Sequence, residues 1–177
     1  MIDKELLSRF CSPEEHRDAI NTPWSEGEFS YASDGRILVE TTRLSNVPES
    51  PIAPKNVRQS ILAATIPADA IYQPLSDELR KEITDLSPVK SCPQCGGTGR
   101  CQCRDCNANH NCGKCEGSGD VVATFVHSEQ EFKAVTIQNL IRLPGLQWCL
   151  DLKAEKVYFQ FDGGRGIMTA LKPRSED

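Results

Sequence analysis

Seven of the nine cysteines fall in the 24 residues from Cys92 to Cys115. Three pairs have CxxC spacing: Cys92–Cys95, Cys103–Cys106 and Cys112–Cys115. Two intervening residues turn the backbone into a tight knuckle, so both sulfurs of a pair can reach one ion. Gly96, Gly97, Gly99, Gly117 and Gly119 allow backbone conformations that a side chain would hinder. Zinc takes four such sulfurs tetrahedrally once the thiols have lost their protons. An odd cysteine total fits disulfides poorly, and in a reducing compartment CxxC pairs serve metals or redox chemistry. The cluster therefore predicts a zinc site.

CPQCGGTG and CGKCEGSG both follow the pattern CxxCxGxG. This stretch resembles the DnaJ-type cysteine-rich zinc finger, in which four repeats bind two zincs, the first pairing with the fourth and the second with the third. The resemblance implies one closed site of four thiolates: Cys92, Cys95, Cys112 and Cys115. The middle departs from the family, because CQCRDCNANHNC has no xGxG tails. By ligand count, Cys101, Cys103, Cys106 and His110 are expected to hold a second zinc. The alternative there is a solvated His110 with the middle thiols partly unliganded. The likeness covers 28 residues, Cys92 to Gly119. The family's J-domain is missing its signature, since His16-Arg17-Asp18 lacks the central proline. The same three residues resemble a kinase catalytic loop, but neither a Gly-rich phosphate loop nor Asp-Phe-Gly accompanies them.

Closed sites of four protein ligands usually replace a hydrophobic core in a segment too polar to have one. Catalytic zinc needs an open coordination position, and the spacing predicts none. Thiol exchange is the alternative chemistry, since the family's finger resembles redox centres.

The flanks must hold this cluster. Asp3 to Phe10 reads as a short helix with Asp3 as N-cap and Leu6, Leu7 and Phe10 on one face. Strands are expected around RDAINTPW, EFSYAS and RILVETT, the last two joined by an Asp34-Gly35 turn. After the cluster comes a strand, VVATFVH, then a helix over SEQEFKAVTIQNLIRL with Ser128 and Glu131 as a capping box. Pro144-Gly145 ends that helix. QWCLDL, KVYFQF and RGIMTAL follow as strands, the last two joined through Asp162-Gly163-Gly164.

FSYASDGRILVETT and VYFQFDGGRGIMTAL thus look like two copies of one hairpin motif. The expected fold is α+β: residues 1–43 and 121–173 as two similar halves, helices against an antiparallel sheet, with the finger of 91–120 inserted between them. Residues 174–177 form a tail. The halves resemble the bacterial DNA sliding clamp at YASDGRILVE and FDGGRGIMTALKP. The combined layout resembles proteins of uncharacterised activity from phage and prophage genomes. The connector, 44–90, holds six of the eleven prolines and should run extended before a helix near 76–86 capped by Ser76.

Composition limits the rest. Hydrophobic residues are 38% and aromatics 6% of the chain. No run approaches the roughly 18 apolar residues of a membrane span. MIDKELLSRF shows neither the apolar region nor the cleavage site of a signal peptide, which implies a cytoplasmic protein with no membrane partner. A net charge of −5 leaves nucleic acid as a partner only through an oligomer or a local basic patch. No nucleophile elbow, metalloprotease helix or phosphate loop occurs. Cys11, Cys149, Trp24, Trp148 and His127 are expected to pack rather than react. The expectation is a non-enzymatic zinc protein that binds a protein partner. The alternatives are a chaperone-like binder of unfolded polypeptide and a zinc-controlled thiol oxidoreductase.

Overall fold

Residues 29–42 alternate in chemistry, and the alternation sorts side chains to two faces of a sheet. Ala32, Ile37 and Val39 enter the main core, whereas Tyr31 and Leu38 pack with Trp24 on the opposite face. The computed structural model describes residues 2–12, 20–49, 71–103 and 108–171. The His16-Arg17-Asp18 string, residues 50–70 of the proline-rich connector, Cys106 and the tail lie outside them.

Among the described residues the elements run as follows. Helix α1 is Lys4–Ser8, and strands β1 to β3 are Trp24–Glu26, Phe29–Ser33 and Ile37–Thr42. Strand β4 is Gln73–Pro74 and helix α2 is Asp77–Asp85. The cysteine-rich segment supplies β5 (Val89–Ser91), β6 (Arg100–Gln102), β7 (Asn109–Asn111) and β8 (Asp120–Val122). Then come β9 (Thr124–His127), β10 (Gln130–Lys133) and helix α3 (Ala134–Leu140). Strands β11 (Gln147–Asp151), β12 (Lys156–Phe161) and β13 (Gly164–Thr169) follow.

Seven strands form one antiparallel sheet in the order β1-β2-β3-β13-β12-β11-β4. The two expected hairpins join at its centre, where β13 pairs with β3. Their turns form as the Asp-Gly sequences require. Asp34 Oδ1 accepts from the amides of Arg36 and Ile37 at 2.8 and 2.9 Å, and Gly163 sits at φ 92°. Leu7 and Phe10 near α1, Ile83 of α2, and Ile137 and Leu140 of α3 pack with Phe159 and Met168 in one core. The architecture is therefore mixed α+β, with a large antiparallel sheet.

Asp3 and Ser76 cap their helices as their sequences predict, accepting from Leu6 and Leu79 at 2.8 and 3.2 Å. The capping box at Ser128 does not form. Ser128 and Glu129 instead make the turn between β9 and β10, at φ 49° and 66°. Phe132 lies opposite Phe125 in that hairpin and both are buried, so alternation over Gln130–Lys133 wins over helix capping. Helix α3 starts only at Ala134, without a side-chain cap.

Candidate metal centre

The cysteine-rich segment leaves the body through a stem. β5 pairs with β8, bringing Val89 opposite Val122 and Ser91 opposite Asp120. Beyond the stem, β6 and β7 form a second ladder in which Cys101 faces His110. The two CxxCxGxG knuckles lie between these ladders.

The knuckles share a set of matching bonds, twenty residues apart. The amide of Cys92 donates to the Gly119 carbonyl at 2.8 Å, and that of Cys112 to the Gly99 carbonyl at 2.8 Å. Thr98 Oγ1 donates to the Cys95 carbonyl at 2.8 Å, as Ser118 Oγ does to Cys115 at 2.7 Å. Gly99 and Gly119 donate their amides to the sulfurs of Cys95 and Cys115, both at 3.3 Å. The halves meet at these glycines. A Cβ on Gly99 would collide with the Gly117 carbonyl, and one on Gly119 with the Gly97 carbonyl. Both glycines are at positive φ, 73° and 85°, where a side chain adds strain. The second glycine of each pattern is thus required by a close approach as well as by the turn.

This arrangement gathers the sulfurs of Cys92, Cys95, Cys112 and Cys115 within 4.8 Å of one another. Cys92 and Cys112 stand 3.8 Å apart, and Cys95 and Cys115 3.7 Å. A tetrahedron with metal–sulfur bonds of about 2.3 Å has edges of roughly 3.8 Å, so the four sulfurs fit a thiolate-bound ion. The fit is compatible with zinc without singling it out. Cys92 and Cys112 are fully buried, and the three buried residues of this small cluster are all cysteines.

The thiols differ in their readiness to ionise. Burial works against ionising Cys95, but the Gly99 and Gly97 amides and the Cys115 and Cys92 thiols outweigh it, bringing Cys95 down to about 6. Burial pushes Cys92 and Cys112 up, against the pull of nearby amides. Cys95 is therefore favoured as a thiolate, and a bound ion's charge would have to ionise Cys92 and Cys112.

Of the second expected set, Cys101, Cys103 and His110 are described and Cys106 is not. Among the described residues no further group of three ligands gathers. Cys101 packs against the cluster formed by Cys92, Cys112 and Cys115. Its signal was in the sequence: twenty residues on, the place of Cys101 is taken by Val121, which packs on the same cluster.

The other singled-out residues pack. Trp24 stacks on Tyr31 at 5.8 Å, and Trp148 is buried in the main core. His127 lies between Phe125 and Trp148, at 6.1 and 5.3 Å. Cys11 is driven up to about 11, first by burial and then by the Asp34 charge, against the Ser33 amide. Cys149 is half-buried opposite Tyr158.

A cleft of about 1090 Å³ separates the finger from the end of the sheet. Arg36, Lys90, Lys114 and Lys133 line it together with Glu116, Asp120, Glu131 and Glu155. Sequence reasoning did not find this cleft, because its walls come from segments far apart in the chain. Among the described residues no helix is long and apolar enough to cross a membrane. Compared with protein-family models, curated proteins and solved structures, the chain matches none.

Proposed function

We propose that the protein is a non-enzymatic zinc-binding interaction module whose finger presents one wall of a protein-docking cleft. The observation that carries this is the gathering of four cysteine sulfurs within 4.8 Å of one another. Four protein sulfurs complete zinc's usual coordination, so no position is left for a substrate or an activated water. The ion then does structural work, holding a segment whose strands are almost wholly exposed.

The cleft's charges favour a protein partner over nucleic acid. Four cations and four carboxylates line it, and among the described residues no salt bridge joins any of them. Phosphates entering there would meet the carboxylates as well as the lysines, whereas a polypeptide of mixed charge can answer both signs. The likeness of the two hairpin halves to sliding-clamp units makes replication proteins, including those of phage, the first partners to try.

Photo-crosslinkers at Lys114 and Glu116, with exposed Phe29 as a control outside the cleft, test the reading. Discrete protein adducts from the cleft positions, lost in a Cys92→Ser variant, support it. Adducts to nucleic acid, or none beyond those at Phe29, overturn it. Reduction of insulin by the zinc form would establish the oxidoreductase instead. Zinc-dependent protection of a denatured client from aggregation would establish the chaperone-like binder. A count of one zinc per chain would leave Cys101, Cys103, Cys106 and His110 without a metal role; a count of two would bring them in.

A further inference from the structure

Four residues other than glycine sit at positive φ among the described residues: Glu116, Ser128, Glu129 and Glu155. Ser128 and Glu129 make the turn between β9 and β10. The other two line the cleft, one on each wall. Glu116 follows Cys115 in the second knuckle, at φ 53°. Its counterpart in the first knuckle is Gly96, at φ 60°, which does not line the cleft. Glu155 ends the loop between β11 and β12, at φ 51°, where its carbonyl accepts from the Ala170 amide at 3.0 Å. Glycine takes this backbone shape without strain, and glutamate does not. Turn geometry thus accounts for the conformation at both places but not for the carboxylate. Strain kept at two residues of one cleft points to what their side chains do there.

Both glutamates are exposed, and neither has a salt-bridge partner among the described residues. They form no cage for a metal ion, since among the described residues only the four cysteines gather as a group of three or more ligands. Two separate carboxylates on opposite walls suit a long cation, an arginine or lysine side chain whose charge rides on an apolar stem. Val122 and Leu171 line the same cleft and offer that stem methyl groups.

We propose that Glu116 and Glu155 are the cation-reading residues of the cleft, holding a basic side chain of the docked protein partner between finger and sheet. This inference rests on the docking reading above and names the residues that set its specificity. The four cleft cations draw the partner's carboxylates, and the two strained glutamates fix where its arginine or lysine lands. Asp120 and Glu131 also line the cleft, but on ordinary strand backbone.

Binding of defined peptides to the full zinc-loaded chain tests this. The probes are a labelled synthetic peptide of repeating Arg-Ser-Asp-Ser and its twin with uncharged citrulline in place of arginine, compared by fluorescence anisotropy. The native chain should bind the arginine peptide about tenfold more tightly than the citrulline one. Glu116→Gly and Glu155→Gly should each weaken arginine-peptide binding about fivefold or more, yet melt no lower than the native chain, because glycine relieves the backbone. Glu116→Gln keeps the strain and loses the charge, so it should weaken binding with no gain in melting temperature. Glu129→Gly gives the same relief outside the cleft, and should raise the melting temperature with peptide binding unchanged.

Arginine-peptide affinity indifferent to both glycine substitutions overturns the proposal. So do glycine variants that melt lower or lose zinc, since the glutamates would then serve the fold. A native chain that binds the two peptides equally, or neither, overturns it as well. The docking reading is judged apart from all of these, by the crosslinks at Lys114.

Discussion

Cys112 is tied to Gly99: its amide donates to the Gly99 carbonyl at 2.8 Å, at the point where the two knuckles touch. The same residue thus supplies a candidate metal ligand and a seam between the halves. At this seam an added methyl on Gly99 would strike the Gly117 carbonyl, which is backbone and has little room to yield. Gly99→Ala should weaken metal binding with all four cysteines intact. The positive φ alone costs about 1–2 kcal/mol, so the loss should reach tenfold or more in a chelator competition. Gly96, whose Cβ would meet nothing within 4 Å, is the control that shares the positive φ without the collision.

Stripping the metal should unfold the finger and spare the sheet. The finger's own buried cluster consists of cysteines, whereas the sheet has its core of Phe159, Val157, Met168 and their neighbours. Hydrogen exchange after chelation should lose protection across β5 to β8 while β12 and β13 keep theirs. Loss of protection in β12 would mean that the finger supports the whole fold.

Arg165 holds Glu40 through a 2.8 Å bond across β13 and β3, and the carboxylate is only 7% exposed against 46% for the arginine. Replacing the arginine strands a buried charge, so Arg165→Met should cost about 2 kcal/mol in urea unfolding. Glu40→Gln leaves the more exposed partner unpaired and should cost less. Equal losses would show that the difference in burial does not set the cost.

In the turn after β9, Ser128 and Glu129 adopt the left-handed conformation that glycine and asparagine accept more readily. Ser128→Asn with Glu129→Gly should stabilise the protein by about 1 kcal/mol. A thermal melt that fails to rise would place a compensating contact at the wild-type turn.

The Cys11 thiol gives a pH dependence of known sign. Its value rises from 9.0 in the free group to about 11, so folding favours the protonated form. That contribution is whole below about pH 9 and is lost as pH climbs toward 11. Cys11→Ala should flatten stability over this window. An unchanged slope would assign the alkaline loss to other groups.

Elements whose signals are local were legible in the sequence. The Asp34-Gly35 and Asp162-Gly163 turns, the caps at Asp3 and Ser76, and the paired CxxCxGxG patterns each carry their instruction within a few residues. The Ser128–Glu131 spacing misled because a capping box and a hairpin turn share polar residues there, and the choice depends on Phe132 meeting Phe125 across the strands. The place of Cys101 was readable only by aligning the two halves through Val121. The cleft had no local sign, since Arg36, Lys90 and Glu155 come together through the fold.

The stem has a consequence for the protein's modularity. Because Val89 and Val122 sit side by side, the chain departs and returns through neighbouring points. A two-residue Asn-Gly turn spans such a gap. The finger is therefore a cassette: cutting out residues 90–121 and rejoining the ends should leave the sheet's strand order untouched, and another insert should graft onto the same two valines.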